Sequence, residues 1–373
     1  MAADPRPAFR EEQDMGADRD CVLEQTPEDL KVWLRERGEP DYRLAQLLRW
    51  LYEVRVDSFD AMTNLPAPLR EGLEGAYGFP VLDEIDRVAS SDGRTERFLY
   101  ALADGEQIEA VAMEDGGRPT FCVSSQAGCK LACRFCATGQ LTFGRNLTTG
   151  EILAQVTALA RAGGGLRNVV FMGMGEPLLN LDAVAPALEA LVDEHRFALG
   201  VRHLTVSTAG ITPGIRRLAG GSVQPNLALS LNSPFDQQRS EIMPVNRRYP
   251  LEGVLEACEE YASKSGRRIL LEYVLLAGVN TSPDHVRVVG RIARDLRALL
   301  NLIPFNPVHG CGFESPDKDE LYRFRAALER TGAKATVRFR RGREIRAGCG
   351  QLKRRHGQLK PRRGRKGAEK PRG

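Results

Sequence analysis

The chain has 373 residues, enough for a large hydrophobic core or for two domains. Residues 1–20 are polar and acidic, and no stretch approaches the roughly 20 apolar residues that a membrane-spanning helix needs. We therefore expect a cytoplasmic protein without a signal peptide or a membrane anchor. Its eight cysteines should then be free, metal-bound or redox-active rather than joined in structural disulfides.

The net charge of +4 hides an uneven distribution of charge along the chain. Residues 353–373 carry ten Lys or Arg and one Glu, a net charge of +9, whereas residues 1–352 carry a net charge of −5. A basic segment that also contains Gly and Pro predicts a disordered tail, whose commonest partner is a polyanion such as RNA. A tail that only improves solubility is the alternative.

The N-terminal quarter of the chain predicts a short lead followed by a helical domain. Residues 1–24 are expected to be disordered, and residues 25–90 to form the domain. Thr26-Pro27 is typical of a helix N-terminus, and Asp41 can cap a second helix. A third helical segment, over Leu65–Tyr77, ends at Gly78.

Beyond residue 90, short apolar or β-branched runs alternate with amphipathic segments. One predicted helix begins with a capping box formed by Thr148 and Glu151. The predicted strands are Phe98–Leu102, Glu109–Met113, Thr120–Ser124, Asn168–Met172, His203–Ser207, Asn226–Leu231, Ile269–Leu276, Leu302–Phe305 and Thr336–Phe339. Repeated strand–helix units predict an α/β fold over residues 91–352, a complete or partial parallel β/α barrel. In such barrels the functional site lies on the loops that follow the strands.

Three cysteines, Cys129, Cys133 and Cys136, lie close together in the loop after the strand that ends near Ser124. Thiolates at this spacing are plausible metal ligands. A structural zinc site normally has four protein ligands, whereas an iron–sulfur cluster held by three thiolates leaves one iron open to another ligand. The triplet therefore favours a cluster with an open iron, although Cys122 could supply a fourth ligand to zinc.

Small polar residues or glycine follow several predicted strands. They include Gly175 and Glu176 in a glycine-rich turn, Ser207, the segment Ser230–Asn232, and Asn306. Each of them alone could simply end a strand. Because the carboxyl ends of parallel strands meet on one face of a barrel, their recurrence predicts a ring of hydrogen-bonding groups that could bind a small polar cofactor.

The chain also contains four longer motifs, in this order: Phe121–Cys129, Met172–Asn180, Asn301–Pro307 and Cys349–Leu352. Together with the cysteine triplet, they resemble the RlmN family of radical S-adenosylmethionine (SAM) RNA adenine methyltransferases. The match runs from about Leu30 to Leu352. It implies a partial barrel of the radical SAM type and a [4Fe-4S] cluster on Cys129, Cys133 and Cys136.

The resemblance also assigns roles that spacing alone does not. Cys349 would be methylated by one SAM molecule, and a second, cleaved at the cluster, would start the transfer of that carbon to C2 of adenine. Cys122 would release the resulting protein–RNA adduct by forming a disulfide with Cys349, and Glu109 would accept a proton. The implied cofactor contacts are Gly175, Glu176, Ser207, Ser230, Leu231, Asn232 and Asn306.

The implied substrates are an adenosine of 23S rRNA near the peptidyl-transferase centre and the tRNA adenosine just 3′ of the anticodon. The helical domain and the basic tail would help to bind these RNAs, and an electron donor such as flavodoxin or ferredoxin would reduce the cluster. We expect a monomer. The sequence departs from the family at Asn232, where histidine is common, and at residues 341–348, which are rich in arginine.

Two other functions compete with this interpretation. One is a related resistance enzyme that methylates C8 of adenine, although Pro177 stands where we expect alanine in that enzyme. The other is a non-enzymatic RNA-binding protein with zinc bound by Cys122, Cys129, Cys133 and Cys136. A zinc protein would be colourless, whereas an iron–sulfur protein is brown.

Overall fold

The computed structural model describes residues 19–114, 116–163, 165–308, 310–338, 345, 347–348 and 350–351. Most of the predicted lead, the basic tail and Cys349 lie outside the described residues. The described part of the chain contains no helix long and apolar enough to cross a lipid bilayer.

The N-terminal part of the structure is mainly helical. Its α-helices are α1 (Pro27–Glu36), α2 (Tyr42–Leu48) and α3 (Ala67–Ala76), and a π-helical segment over Arg49–Val54 extends α2. Thr26 caps α1, since its hydroxyl accepts a hydrogen bond from the backbone of Asp29 and the Asp29 carboxylate accepts one from the backbone of Thr26.

Residues 20–24, which the sequence assigns to the predicted lead, form a short strand and a 3₁₀ turn. Strand β1 (Asp20–Cys21) pairs in parallel with β2 (Tyr77–Gly78), and Val22 and Leu23 are buried. The carboxylate of Glu24 accepts a 2.6 Å hydrogen bond from the backbone N–H of Gly150, at the start of a helix in the barrel. The N-terminal segment thus contacts the barrel directly.

The central element is a ten-stranded sheet in which consecutive strands are neighbours. Its strands are β3 (Leu82–Ala89), β4 (Thr95–Leu102), β5 (Gln107–Glu114), β6 (Pro119–Cys122), β7 (Asn168–Phe171), β8 (Leu204–Thr208), β9 (Asn226–Ser230), β10 (Leu270–Leu275), β11 (Leu299–Pro304) and β12 (Lys334–Val337). Strands β6 to β12 run parallel, and β3 to β6 pair antiparallel.

Helices connect the parallel strands. They are α4 (Thr149–Arg161), α5 (Leu181–Val192), α6 (Thr212–Ala219), α7 (Asp236–Ile242), α8 (Leu251–Ser265), α9 (Pro283–Asp295) and α10 (Lys318–Arg330). Short 3₁₀ segments occur at Val22–Glu24, Thr138–Gln140, Pro177–Leu179, Val201–His203 and Pro244–Arg247. Among the described residues β3 and β12 are the two edges of the sheet, so the barrel is partial. The predicted α/β fold, a partial parallel barrel, is confirmed.

The strand register determines which side chains share the inner face of the barrel. Arg97, Val111, Cys122 and Val170 are paired in one row across β4 to β7, and paired residues point to the same side of a sheet. The same face continues through Ser207 and lines a cavity inside the barrel. The opposite face packs against the helices.

The sequence analysis did not predict β3, whose residues it placed in the helical domain. The strand carries charged residues at four of its eight positions, and most of its side chains are at least partly exposed. It is an edge strand, and natural edge strands are commonly charged because charges discourage pairing with other chains. Such a strand lacks the apolar alternation on which strand prediction depends.

We predict that Gly173→Ala lowers the free energy of unfolding by about 1–3 kcal/mol, because a methyl group there overpacks the turn after β7. A Cβ on Gly173 would lie 2.6 Å from the backbone oxygen of Val123, which cannot rotate away. Urea denaturation measures the change. The matched control is Gly253→Ala in α8, where a Cβ meets no atom within 4 Å and greater helix propensity should leave stability equal or slightly higher. Equal stability of the Gly173 variant and wild type would contradict the prediction.

Candidate active site

A cavity opens at the carboxyl ends of the parallel strands, where the sequence predicts a site. It brings together three cysteines, a carboxylate-bearing turn and polar residues from β8 to β11. The residues that line it are Cys129, Leu131, Cys133, Phe135, Cys136, Phe171, Met172, Gly175, Glu176, Pro177, Ser207, Thr208, Ala209, Ser230, Asn232, Met243, Glu272, Val274, Ile303, Phe305, Asn306, Arg338 and Gly350.

The cysteine loop is held in place mainly through its backbone. Gly128, just before the loop, has a φ of +91°, and a Cβ there would lie 2.7 Å from the oxygen of Thr142. The N–H of Arg134 donates to the carbonyl of Ile242 at 3.0 Å, and the N–H of Ala137 donates to the carbonyl of Gly350 at 2.7 Å. These bonds leave the thiols facing the cavity.

The three thiols form a donor set that suits an iron–sulfur cluster. Burial raises the pKa of Cys129 to about 12 and also raises the pKa of Cys133 and of Cys136, so that metal binding must displace their protons. Among the described residues, no three His, Cys, Asp or Glu side chains lie close enough to share one metal ion. The three thiols line one cavity, and three soft donors at a cavity fit a multi-iron cluster.

The four-cysteine zinc site is not formed among the described residues. Cys122 lies on the inner face near the end of β6, and it is not part of the described lining of the cavity.

The turn after β7 carries the buried carboxylate of Glu176. Gly175, with a φ of +102°, lets the turn pass so close to Gln126 that a Cβ would lie 2.6 Å from the Gln126 side chain. Gln126 accepts a 2.9 Å hydrogen bond from the N–H of Glu176. The Glu176 carboxylate accepts bonds from the N–H groups of Leu178 (3.2 Å) and Ala209 (2.8 Å). Burial nevertheless raises the pKa of Glu176 to about 7.

Four other predicted cofactor contacts also line the cavity: Ser207, Ser230, Asn232 and Asn306. Asn232 adopts a φ of +54°, and its side chain accepts a 2.9 Å hydrogen bond from the N–H of Val274. Leu231 is not among the described residues that line the cavity. The Leu231 side chain is fully buried, and its backbone pairs with Glu272 and with the guanidinium of Arg239.

Glu109 lies on the inner face of the sheet, two residues along β5 from the row that contains Cys122. Its side chain is fully buried and forms an ion pair with Arg97. Its carbonyl accepts a 2.6 Å hydrogen bond from the hydroxyl of Ser124, and its N–H donates to the sulfur of Met174 at 3.3 Å. Glu109 and Cys122 thus lie on the face of the sheet that lines the cavity, but they are not among the described residues that line it.

Cys349 lies outside the described residues, but both of its neighbours are at the cavity. Gly350 lines it, and a Cβ on Gly348 would lie 2.6 Å from the amide nitrogen of Asn306.

Sequence reasoning missed Glu272, a buried carboxylate in the middle of β10 that lines the cavity. It accepts a 2.9 Å hydrogen bond from Asn301, and its nearest described cation is Arg338, 3.8 Å away. Burial raises the pKa of Glu272. The sequence did contain a signal for Glu272, namely a single carboxylate inside an otherwise apolar strand. Because a carboxylate is rarely buried without a partner, such a residue indicates a buried polar site.

Comparison with known proteins agrees with this geometry. Residues 123–287 match the model of the radical SAM superfamily, and residues 22–77 match that of the ribosomal RNA large subunit methyltransferase N-terminal domain. The fold and the cysteine loop therefore define a radical SAM protein.

The similarity extends over nearly the whole chain. A probable dual-specificity RNA methyltransferase RlmN from Rhodopirellula baltica is 42% identical over 96% of this chain and 98% of that protein. The dual-specificity RNA methyltransferase RlmN from Geobacter sulfurreducens is 43% identical over 90% and 92%. The crystal structure of a radical SAM methyltransferase from Sphaerobacter thermophilus has 42% identity and a TM-score of 0.86, covering 89% of this chain and 99% of that one. The chain belongs to the RlmN family.

We predict that Glu176 makes stability depend on pH. The pKa of Glu176 rises from an ordinary value of 4.5 to about 7 on folding. The contribution of Glu176 to the free energy of unfolding is therefore complete below pH 4.5, and it is lost as the pH rises through 7. Between pH 5 and pH 8, the unfolding free energy of the wild type should fall by about 2–3 kcal/mol more than that of Glu176→Gln. Urea denaturation without SAM measures both proteins, with the exposed Glu252→Gln as the control. Parallel pH profiles for wild type and Glu176→Gln would contradict the assignment.

Proposed function

We propose that this chain is a radical SAM methyltransferase of dual specificity that methylates C2 of an adenosine in 23S rRNA and of an adenosine in tRNA. The observation that carries the proposal is one cavity shared by three thiols, the Glu176 turn and the residues beside Cys349. The relatives named as dual-specificity RNA methyltransferases support the substrate class.

In this proposal the cavity would hold two cofactors. Radical SAM proteins use a [4Fe-4S] cluster and SAM, which when bound supply a carbon-centred radical. Cys129, Cys133 and Cys136 would hold the cluster. The contacts to SAM would come from Gly175, Glu176, Ser207, Ser230, Asn232 and Asn306, with Leu231 contributing only its backbone.

The remaining steps belong to side chains of the chain itself. Cys349 would carry the carbon that is transferred, and the thiolate of Cys122 would attack the sulfur of Cys349, so that a disulfide forms as the carbon–sulfur bond to the product breaks. The departing carbon would keep the electron pair of that bond and take up a proton to become the methyl group. The Glu109 carboxylate would accept the proton that leaves C2. The position of Glu109 and Cys122 on the inner face supports these roles.

The proposal includes partners beyond RNA. A one-electron donor such as flavodoxin or ferredoxin would reduce the cluster, and the N-terminal helices and the basic tail would help to bind RNA. The protein would act in the cytoplasm as a monomer.

We predict that cells lacking this gene lose 2-methyladenosine from 23S rRNA and tRNA, since no other group in this scheme transfers carbon to C2. Mass spectrometry of nucleosides measures the loss. The wild-type gene should restore the modification, whereas Cys133→Ala should not. Cys258→Ala, in a buried thiol of α8 away from the cavity lining, is the matched control and should restore it. Loss of 8-methyladenosine instead would favour the C8 enzyme.

We predict that Cys122→Ala leaves RNA covalently attached to the protein, because the thiol that would release the adduct is missing. Denaturing gels with labelled RNA detect the adduct. Cys349→Ala should give neither adduct nor product, and Cys258→Ala should give product at the wild-type rate. Free methylated RNA from Cys122→Ala at the normal rate would refute the role of Cys122.

A further inference from the structure

Arg97 on β4, whose side chain is mostly shielded from solvent, connects two carboxylates on the inner face of the sheet. It forms an ion pair with Glu109 on β5 and approaches Asp86 on β3 at 3.8 Å. The exposed fractions of the three side chains are 11% for Arg97, 0% for Glu109 and 25% for Asp86. Glu109 is thus the most deeply buried of the three, and the guanidinium of Arg97 is a cation that pairs with it.

Stability alone is a weak reason for such a pair. Removing two charges from water costs several kcal/mol for each ion, and the attraction between them often does no more than offset that cost. An apolar pair of similar volume would fit a sheet whose neighbouring inner positions, Leu99 and Val111, are buried and apolar. Stability therefore does not explain why Arg97 and Glu109 are charged, and a role in the reaction does.

The position of Glu109 is fixed relative to the cofactor turn. The Ser124 hydroxyl donates to the carbonyl of Glu109 and accepts from the N–H of Met174 at 2.9 Å, and the N–H of Glu109 donates to the Met174 sulfur. Met174 directly precedes Gly175, which lines the cavity. These hydrogen bonds hold the backbone of Glu109 in place. The orientation of its carboxylate then depends on the partners of the side chain, of which Arg97 is one.

We propose that Arg97 is a positioning residue that keeps Glu109 ionised and oriented, so that Glu109 can accept the proton from C2. The inference rests on the proposed function, in which Glu109 is the proton acceptor. The proton moves from carbon to a carboxylate oxygen, and Arg97 remains protonated throughout because the guanidinium does not titrate in proteins. A buried carboxylate without a cation would favour its protonated form, which cannot accept a proton.

The other titratable groups near Glu109 allow the sign of the effect to be worked out. On the described inner face of β3 to β6 they are Asp83, Asp86 and Cys122 besides Arg97. Asp86 and Asp83 oppose ionisation of Glu109, and Asp86 also shares Arg97. Removing Arg97 should therefore raise the pH above which Glu109 is ionised, and removing the charge of Asp86 should lower it.

The experiment follows methyl transfer from pH 6 to pH 9 with RNA, SAM and a chemical reductant, measuring product by mass spectrometry and adduct on denaturing gels. In Arg97→Met, the acid limb of product formation should move up by about one pH unit or more, with adduct accumulating at low pH and clearing at high pH. Arg97→Lys should move the limb by less than half of that shift. Arg216→Met, which removes an exposed ion pair with Glu260, is the matched control and should leave the profile unchanged.

The outcomes separate this inference from the proposed function. Glu109→Gln should accumulate adduct at every pH; normal turnover by that variant would overturn the role of Glu109 itself. Adduct in Glu109→Gln together with an unshifted profile in Arg97→Met would overturn the role of Arg97 alone. If Arg97→Met fails to fold, Asp86→Asn tests the same electrostatics by removing a negative charge instead of a positive one. Movement of the acid limb of product formation to lower pH in Asp86→Asn supports the inference, and an unchanged acid limb overturns it.

Discussion

The buried hydroxyl of Ser124 joins the parts of the protein on which the site depends. It donates to the carbonyl of Glu109 on β5 and accepts from Met174 in the turn after β7, while the backbone of Ser124 exchanges two hydrogen bonds with Gln155 of α4. Ser124, two residues after the end of β6, thus fixes the spacing between the antiparallel extension and the parallel barrel through its side chain, and the contact with the first helix through its backbone. A larger residue would separate the glycine-rich turn from the strand, and an apolar one would leave a buried N–H and a buried carbonyl unsatisfied.

The cavity concentrates groups whose ionisation is made unfavourable by burial. Burial raises the pKa of Cys133, Cys136, Glu176 and Glu272, so these groups are harder to ionise in the folded chain than in the unfolded chain. Cationic iron and the positively charged sulfonium and ammonium of SAM are the partners that would make these anions favourable. Binding of the cofactors should therefore raise the free energy of unfolding, as is general for ligands that bind only the folded state.

Much of this arrangement could be predicted from the sequence, because it follows from local rules. The Thr148–Glu151 capping box forms as expected, with bonds of 3.2 and 2.9 Å, and polar residues at strand ends do meet in one cavity. What the sequence could not supply depends on pairing between strands. Neither the charged edge strand β3 nor the Arg97–Glu109 ion pair has a local signature, because both arise only when β3, β4 and β5 are aligned. The side chain of Leu231 lies outside the described cavity lining, because side chains alternate along an extended backbone and a contiguous motif does not show this alternation.

The contact between Glu24 and Gly150 has a consequence for how this protein can be divided. A fragment that began at residue 91 would contain every parallel strand of the ten-stranded sheet, yet it would lose both the carboxylate at the start of α4 and the edge strand β3. Strand β4, which carries Arg97, would then become the exposed edge, with unpaired backbone groups open to association with other chains. A stable fragment should therefore retain the residues from about Arg19 onward, because the N-terminal helices and the barrel are joined by direct contacts.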